Sequence, residues 1–268
     1  RQGKLDEALK VLKEYLRITR RVNSGESIHV AKAINSVAGC LLRHGLHDEA
    51  MQQFEEALAT YRNIFGEDHE DVAMVLGNIA YLFQRQGKTV EALAMHDKVL
   101  GIKRRILATE DDGVAMSLLN MGDSYRLHGK YEEALARLEE GLGITRRIHP
   151  ERHSTEGEFL VSIGRVYCNQ GKQEDGLSMY KKAVRIFERT VGPESVEVAK
   201  ALNNMAAVLD QQGKHDKAIV KYEKAVAIHG AFGDEHDEVA LVLYNLAVCK
   251  EKAGDQEGAA VCVREAHR

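Results

Sequence analysis

Four asparagines share one register in this 268-residue chain: Asn78, Asn120, Asn204 and Asn245, each nine residues before a glycine. Ser36 and Ser162 fill the same place in two further copies. A carboxamide carries one acceptor and two donors, so it can meet both the N–H and the C=O of an extended peptide. Asparagine is a poor residue for a helix interior, because its side chain competes for backbone groups. Its recurrence points to hydrogen bonding outside its own helix. The partner is either an adjacent helix, which would stiffen a stack, or a guest peptide.

The same helical face offers further contacts. Four residues before the column stand Lys32, Met74, Met116, Glu158, Lys200 and Leu241, and three after it stand Gly39, Tyr81, Asp123, Arg165, Ala207 and Val248. Lys200 with Arg165 could receive an acidic peptide residue. Met74, Tyr81 and Met116 could form an adaptable apolar pocket. Lys32 and Lys200 are each equally well explained as solvated lysines. The expected peptide-binding set is therefore Asn78, Asn120, Asn204, Asn245, Lys200, Arg165, Lys32 and Tyr81.

Other chemistries fare worse. Gly87-Lys88-Thr89 spells the end of a phosphate loop, but the glycine required five residues earlier is Leu82. His69 with Asp71, and His236 with Asp237, are spaced like metal ligands, yet two ligands do not make a site. An Asp at such a junction can cap the following helix instead. Cys262 and His267 are equally incomplete. Cys40, Cys168, Cys249 and Cys262 form no CxxC pair, as suits reduced core cysteines of a cytoplasmic protein. No nucleophile–base pair stands out, so neither an enzyme nor a cofactor nor a metal is expected. A formal net charge of −4 without a basic cluster disfavours nucleic acid. No apolar run approaches membrane-spanning length.

The elements that must position the column follow from its glycines. Gly3, Gly45, Gly87, Gly129, Gly171, Gly213 and Gly254 are separated by five intervals of 42 residues and one of 41. Around Gly213, Leu202, Met205, Ala206 and Leu209 share one helical face, and Ala218, Ile219, Tyr222, Ala225 and Val226 share another. The glycine between them sits where the chain must reverse, and positive φ is cheap there only for glycine. Two helices joined by so short a turn pack antiparallel. Seven residues before the glycines stand Ala38, Ala80, Gly122, Gly164, Ala206 and Ala247. Five after them stand Ala8, Ala50, Ala92, Ala134, Gly176, Ala218 and Ala259. These columns place small side chains where the helix axes come closest. One pair cannot bury both of its sides, so pairs must stack.

Small residues in these columns, with Phe54, Tyr180 or Tyr222 four residues further on, resemble the tetratricopeptide repeat family. The long period, and segments such as Gly66–Lys88 and Leu202–Lys214, resemble its kinesin light chain type, which is also found appended to STAND-type NTPase regulators. The resemblance implies an all-α, right-handed superhelix with first helices lining the concave face. It implies a protein–protein interaction scaffold or adaptor, gripping an extended peptide or disordered segment in that groove. Kinesin light chain asparagines of this column contact cargo peptides, which transfers to Asn78, Asn120, Asn204 and Asn245 but not to Ser36 or Ser162. First helices about 10 Å apart and a peptide advancing about 3.3 Å per residue would bring one asparagine to every third peptide residue. The alternative implied is a sensor arm of a STAND-type NTPase. A phosphate-loop domain upstream would favour that, and a coiled coil the adaptor.

The expected organisation is a single solenoid over 1–268. It has an orphan second helix at 1–22, full repeats at 28–64, 70–106, 112–148, 154–190 and 196–231, and a truncated repeat at 237–268. That makes thirteen helices. Arg1–Lys4 reads as the middle of a turn, and the ends read as those of a fragment whose open faces could self-associate. The fourth full copy departs from the others. Gly157 and Gly176 each lower helix propensity by about 1 kcal/mol, so a softer joint is expected there.

Overall fold

The structure, a computed structural model, describes residues 2–23, 27–107, 110–231 and 237–266, without the side chains of 2–4, 231, 237 and 238. The described residues form thirteen helices and no strand. In order these are α1 (Gln2–Val22), α2 (Ile28–Arg43), α3 (His47–Phe65), α4 (Glu70–Arg85), α5 (Thr89–Ile106), α6 (Asp112–Leu127) and α7 (Tyr131–Ile148). They continue with α8 (Ser154–Asn169), α9 (Gln173–Thr190), α10 (Val196–Gln211), α11 (His215–Ala231), α12 (Asp237–Lys252) and α13 (Gln256–Ala266). Two compact units divide the chain, Arg1–Ile144 and Thr145–Arg268.

First helices open on a column of caps at 42-residue intervals. The side chains of Ser27, His69, Asp111, His153 and Ser195 each accept a backbone N–H of the first turn. His69, rather than Asp71, is the cap at its junction. Its extended backbone places Nδ1 3.1 Å from the Asp71 N–H. His236 and His267, the other histidines of the incomplete metal pairs, lie outside the described residues.

First helices close on left-handed glycines, with φ between 72° and 89° at Gly45, Gly87, Gly129, Gly171, Gly213 and Gly254. The residue after each glycine donates its N–H to a carbonyl five residues back, as in Leu46 to Leu41 and Lys88 to Phe83. This 6→1 bond satisfies a helix-end acceptor and turns the chain. Gly87-Lys88-Thr89 is such a turn. Gly3, in phase with the others, is instead part of α1, so the expected turn at Arg1–Lys4 is not present among its described residues.

The small-residue columns are buried where paired helices touch. Ala38, Ala80, Ala206, Ala50, Ala92, Ala134 and Ala218 are fully inaccessible. In the first unit Ile34, Leu41, Phe54, Tyr61, Val72 and Val75 pack in one continuous core. In the second, Phe159, Tyr180, Phe187, Leu202 and Tyr222 are buried. The Arg pairs that close second helices do more than oppose the helix dipole. Arg20 reaches Glu56 at 2.6 Å, Arg105 reaches Asp68 at 2.6 Å, and Arg104 pairs with Glu140. Exposed pairs of this kind contribute about 0–1 kcal/mol each.

Gly39 lies inside α2, and nothing stands within 4 Å of where its Cβ would be. Gly39→Ala is therefore expected to stabilise by about 0.5–1 kcal/mol through the unfolded chain. Thermal unfolding should show a rise of about 1–4 °C.

Candidate recognition groove

In the first unit the asparagine column faces a groove of about 530 Å³ between α4 and α6. α4 contributes Met74, Gly77, Asn78, Tyr81 and Gln84, and α6 contributes Met116, Ser117, Asn120 and Asp123. α5 contributes His96, Val99 and Lys103. Asn78, Asn120 and Tyr81 thus line one groove with Met74 and Met116. The reason is helical spacing: residues 74, 78 and 81 stand four and three apart, on one face of α4.

The wall is partly wet and partly apolar. Tyr81 is 50% exposed and Met74 40%, whereas Asn78 is half-buried and Asn120 exposed. Asn78 donates from Nδ2 to Asn35 Oδ1 of α2 at 3.1 Å, using one of its two donors. Asn245 makes the equivalent, longer bond to Asn203 at 3.5 Å. Two of the four amides therefore tie adjacent first helices as well as standing in the column.

Further polar groups line the groove beside the column. His96 is buried, and burial drives its imidazole down from 6.5 to about 4, so it is neutral. Its Nε2 stands 3.5 Å from Gln84 Nε2, and Gln84 also bonds Ser124 Oγ. Lys103 donates to the Gly113 carbonyl at 3.2 Å, and Asp123 accepts from Arg126 at 3.2 Å. Gln84 comes from a first helix, in a column with no common residue type, and His96 from a second helix, in the column of Phe54, Tyr180 and Tyr222, where spacing alone predicts a core ring.

The other expected residues are not part of this groove. Lys32 is an exposed residue of α2, and its carbonyl accepts from Ser36 Oγ at 3.0 Å. In the second unit Arg165 is half-buried on α8, Lys200 exposed on α10 and Asn204 half-buried on α10. Asn204 Nδ2 is buried with no hydrogen-bond partner. Lys200 acts on Glu158, whose carboxyl is pushed up by burial and by Glu197 while Lys200 pulls it down. An acid of the chain itself therefore already answers part of the Lys200 charge. Ser162, which breaks the asparagine column, is buried.

A second groove in this unit, about 820 Å³, runs along α9, α10 and α11. Its lining includes Leu202, Met205 and Leu209 with Lys181, Arg185, Lys217 and Lys221, and none of the expected site residues.

Comparison with known proteins identifies the architecture. The sequence profile of the tetratricopeptide repeat family matches residues 1–63, 30–105, 71–147 and 157–231. No curated protein sequence matches. Among solved structures, the chain is similar to a kinesin light chain protein of Podosopora anserina with nearly identical TPR-like repeats. That pair shares 19% identity over 75% of this chain and 95% of the other, with a TM-score of 0.58. A tetratricopeptide repeat protein of Parabacteroides merdae gives 16% identity, coverage of 99% and 87%, and a TM-score of 0.64. A Rap protein complexed with Competence and Sporulation Factor gives 14% identity, coverage of 92% and 76%, and a TM-score of 0.67. Among the described residues no helix is long and apolar enough to cross a membrane.

Proposed function

The chain belongs to the tetratricopeptide repeat family, and from that premise we propose that it is a protein–protein interaction scaffold whose groove between α4 and α6 holds an extended peptide segment. The observation that carries this reading is the convergence of Asn78, Asn120 and Tyr81 with Met74 and Met116 on one groove. Two amides supply donors and acceptors for a peptide backbone. A tyrosine and two flexible thioethers supply an adaptable wall for its side chains. The Rap neighbour, captured with Competence and Sporulation Factor, supports a bound second molecule as a use of this fold. Asn204 and Asn245 stand in the same register in the second unit and would serve there in the same way. The three buried cysteines, Cys40, Cys249 and Cys262, are unbridged, which favours a reducing cytoplasmic setting.

Peptides selected by the full chain from a random display library provide the test, with affinity read by fluorescence polarisation. Asn78→Ala with Asn120→Ala is expected to weaken binding by about tenfold or more, since each lost hydrogen bond is worth about 1 kcal/mol. Asn204→Ala with Asn245→Ala reports the second unit separately. Lys217→Glu, in the other groove, leaves the affinity unchanged. Undiminished binding by a folded Asn78→Ala/Asn120→Ala variant removes the proposal.

A further inference from the structure

The end of α10, the start of α11 and the last turn of α12 bring together three side chains that stand 39 residues apart in sequence at their extremes. Asp210 Oδ1 lies 2.9 Å from His215 Nδ1, and one ligand atom each from Asp210, His215 and Cys249 lie within 4.8 Å of one another. Cys249 is buried, while the Asp210 and His215 side chains are 12% and 28% exposed, so the cluster opens to solvent on one side. Lys252 Nζ stands 2.6 Å from the other carboxylate oxygen, Asp210 Oδ2.

Repeat packing alone does not demand this set. The same three places hold Cys168, Gln173 and Val208 one period earlier, and Leu42, His47 and Leu82 near the start of the chain. Cys40, in the register of Cys249, directs its thiol to the Leu5 carbonyl at 3.9 Å, as Cys249 does to His215 O at 3.7 Å. A cysteine there serves the fold by itself. The imidazole and carboxylate that flank Cys249 are additional.

We propose that Asp210, His215 and Cys249 bind a divalent transition-metal ion of the zinc class, through one carboxylate oxygen, one imidazole nitrogen and one thiolate, with water as the fourth ligand. Mixed oxygen, nitrogen and sulfur donors suit zinc, whereas calcium and magnesium take oxygen ligands. Metal–ligand distances of about 2.0–2.3 Å require donors about 3.3–3.8 Å apart. Asp210 and His215, now 2.9 Å apart, must open by a few tenths of an ångström, and the other donor pairs, within 4.8 Å, must close by about 1 Å or less. Lys252 acts on the outer oxygen of Asp210 and turns the inner one toward the ion. On binding, the Cys249 S–H bond is broken, its electron pair becomes the metal–sulfur bond and the proton leaves to solvent. In the ion-free fold His215 Nδ1 donates its proton to Asp210 Oδ1; on binding that proton leaves Nδ1 for solvent and Nε2 takes one up, so the imidazole that ligates the ion is neutral. The ion would then clamp α12 to the turn between α10 and α11, independently of the groove in the first unit.

The test adds cobalt(II) chloride to the full chain after chelator treatment and follows absorbance. Expected is one equivalent of cobalt with a thiolate-to-cobalt charge-transfer band and tetrahedral visible bands, displaced by zinc. Cys249→Ser abolishes the band, His215→Gln and Asp210→Asn weaken binding by at least tenfold, and Cys40→Ser and Cys262→Ser leave it intact. Zinc raises the Tm of the wild type but not of His215→Gln. Absence of a thiolate band in the wild type, or its survival in Cys249→Ser, overturns the site. Should Cys249→Ser fail to fold, the two variants at the partly exposed positions decide, and full-strength binding by both overturns it equally.

Discussion

Phe187→Ala is expected to lower the unfolding free energy by about 3–5 kcal/mol, the usual range for emptying a core phenylalanine site. Phe187 belongs to α9, is 2% exposed, and lays its ring against Gly157 of α8. A Cβ on Gly157 would lie 2.5, 2.6 and 2.9 Å from three carbons of that ring. Gly157→Ala therefore carries two opposed effects. Helix propensity favours it by about 1 kcal/mol, and overpacking opposes it by about 1–3 kcal/mol. The overpacking prevails, because the Phe187 ring is buried in a close-packed interior and has little room to retreat. Gly157→Ala destabilises on its own, and Phe187→Leu in the same chain recovers part of the loss. A double-mutant cycle by urea unfolding measures that coupling. A neutral or stabilising Gly157→Ala would refute the contact.

Acid should weaken the first unit through His96. Its pKa is about 4 in the fold and 6.5 as a free imidazole, with burial as the cause. The folded value is depressed, so the neutral form is preferred in the fold. The contribution is complete above pH 6.5 and is lost as the pH falls from 6.5 to about 4. At 1.36 kcal/mol per pH unit this amounts to about 3 kcal/mol. Lys103 and Asp123 line the same groove, the first bonded to a backbone carbonyl and the second paired with Arg126. Carboxylates also titrate in this range, so the comparison is with His96→Gln, which shares them. Between pH 6.5 and 4 the variant should lose about 3 kcal/mol less than the wild type in urea unfolding. Parallel pH profiles for the two proteins would exclude the buried imidazole as their source.

The repeat was legible because each of its signals is local. A left-handed glycine, a small residue at a helix crossing and an apolar face need only a few neighbours to make sense. They recur in phase, so Gly45, Ala50 and Phe54 announce what Gly213, Ala218 and Tyr222 repeat. The cap column was half legible. The junction was visible, but whether His69 or Asp71 does the capping depends on a backbone angle. Gly157 and Gly176 read as weak helix formers. The structure makes Gly157 the surface on which Phe187 rests, and Gly176 the point where α9 meets the Gly164 carbonyl and Cys168 of α8.

The candidate sites divide in the same way. Asn78, Asn120 and Tyr81 were found from spacing, since residues on one face of successive first helices must share a groove. Gln84 and His96 were missed, because their place follows from how α4 and α5 cross. Asp210, His215 and Cys249 meet only because α12 packs against the turn between α10 and α11, and chain separation conceals that meeting. Period, element type, turn chemistry and the register of the amides are short-range properties, carried by φ preferences and side-chain size, and the amino-acid order determined them alone. Which polar groups are buried, which pair with one another, and which stand close enough to share a proton or an ion are set by distances between helices. Only the packed chain decided those, because a shift of an ångström between two axes changes the partners without changing any residue.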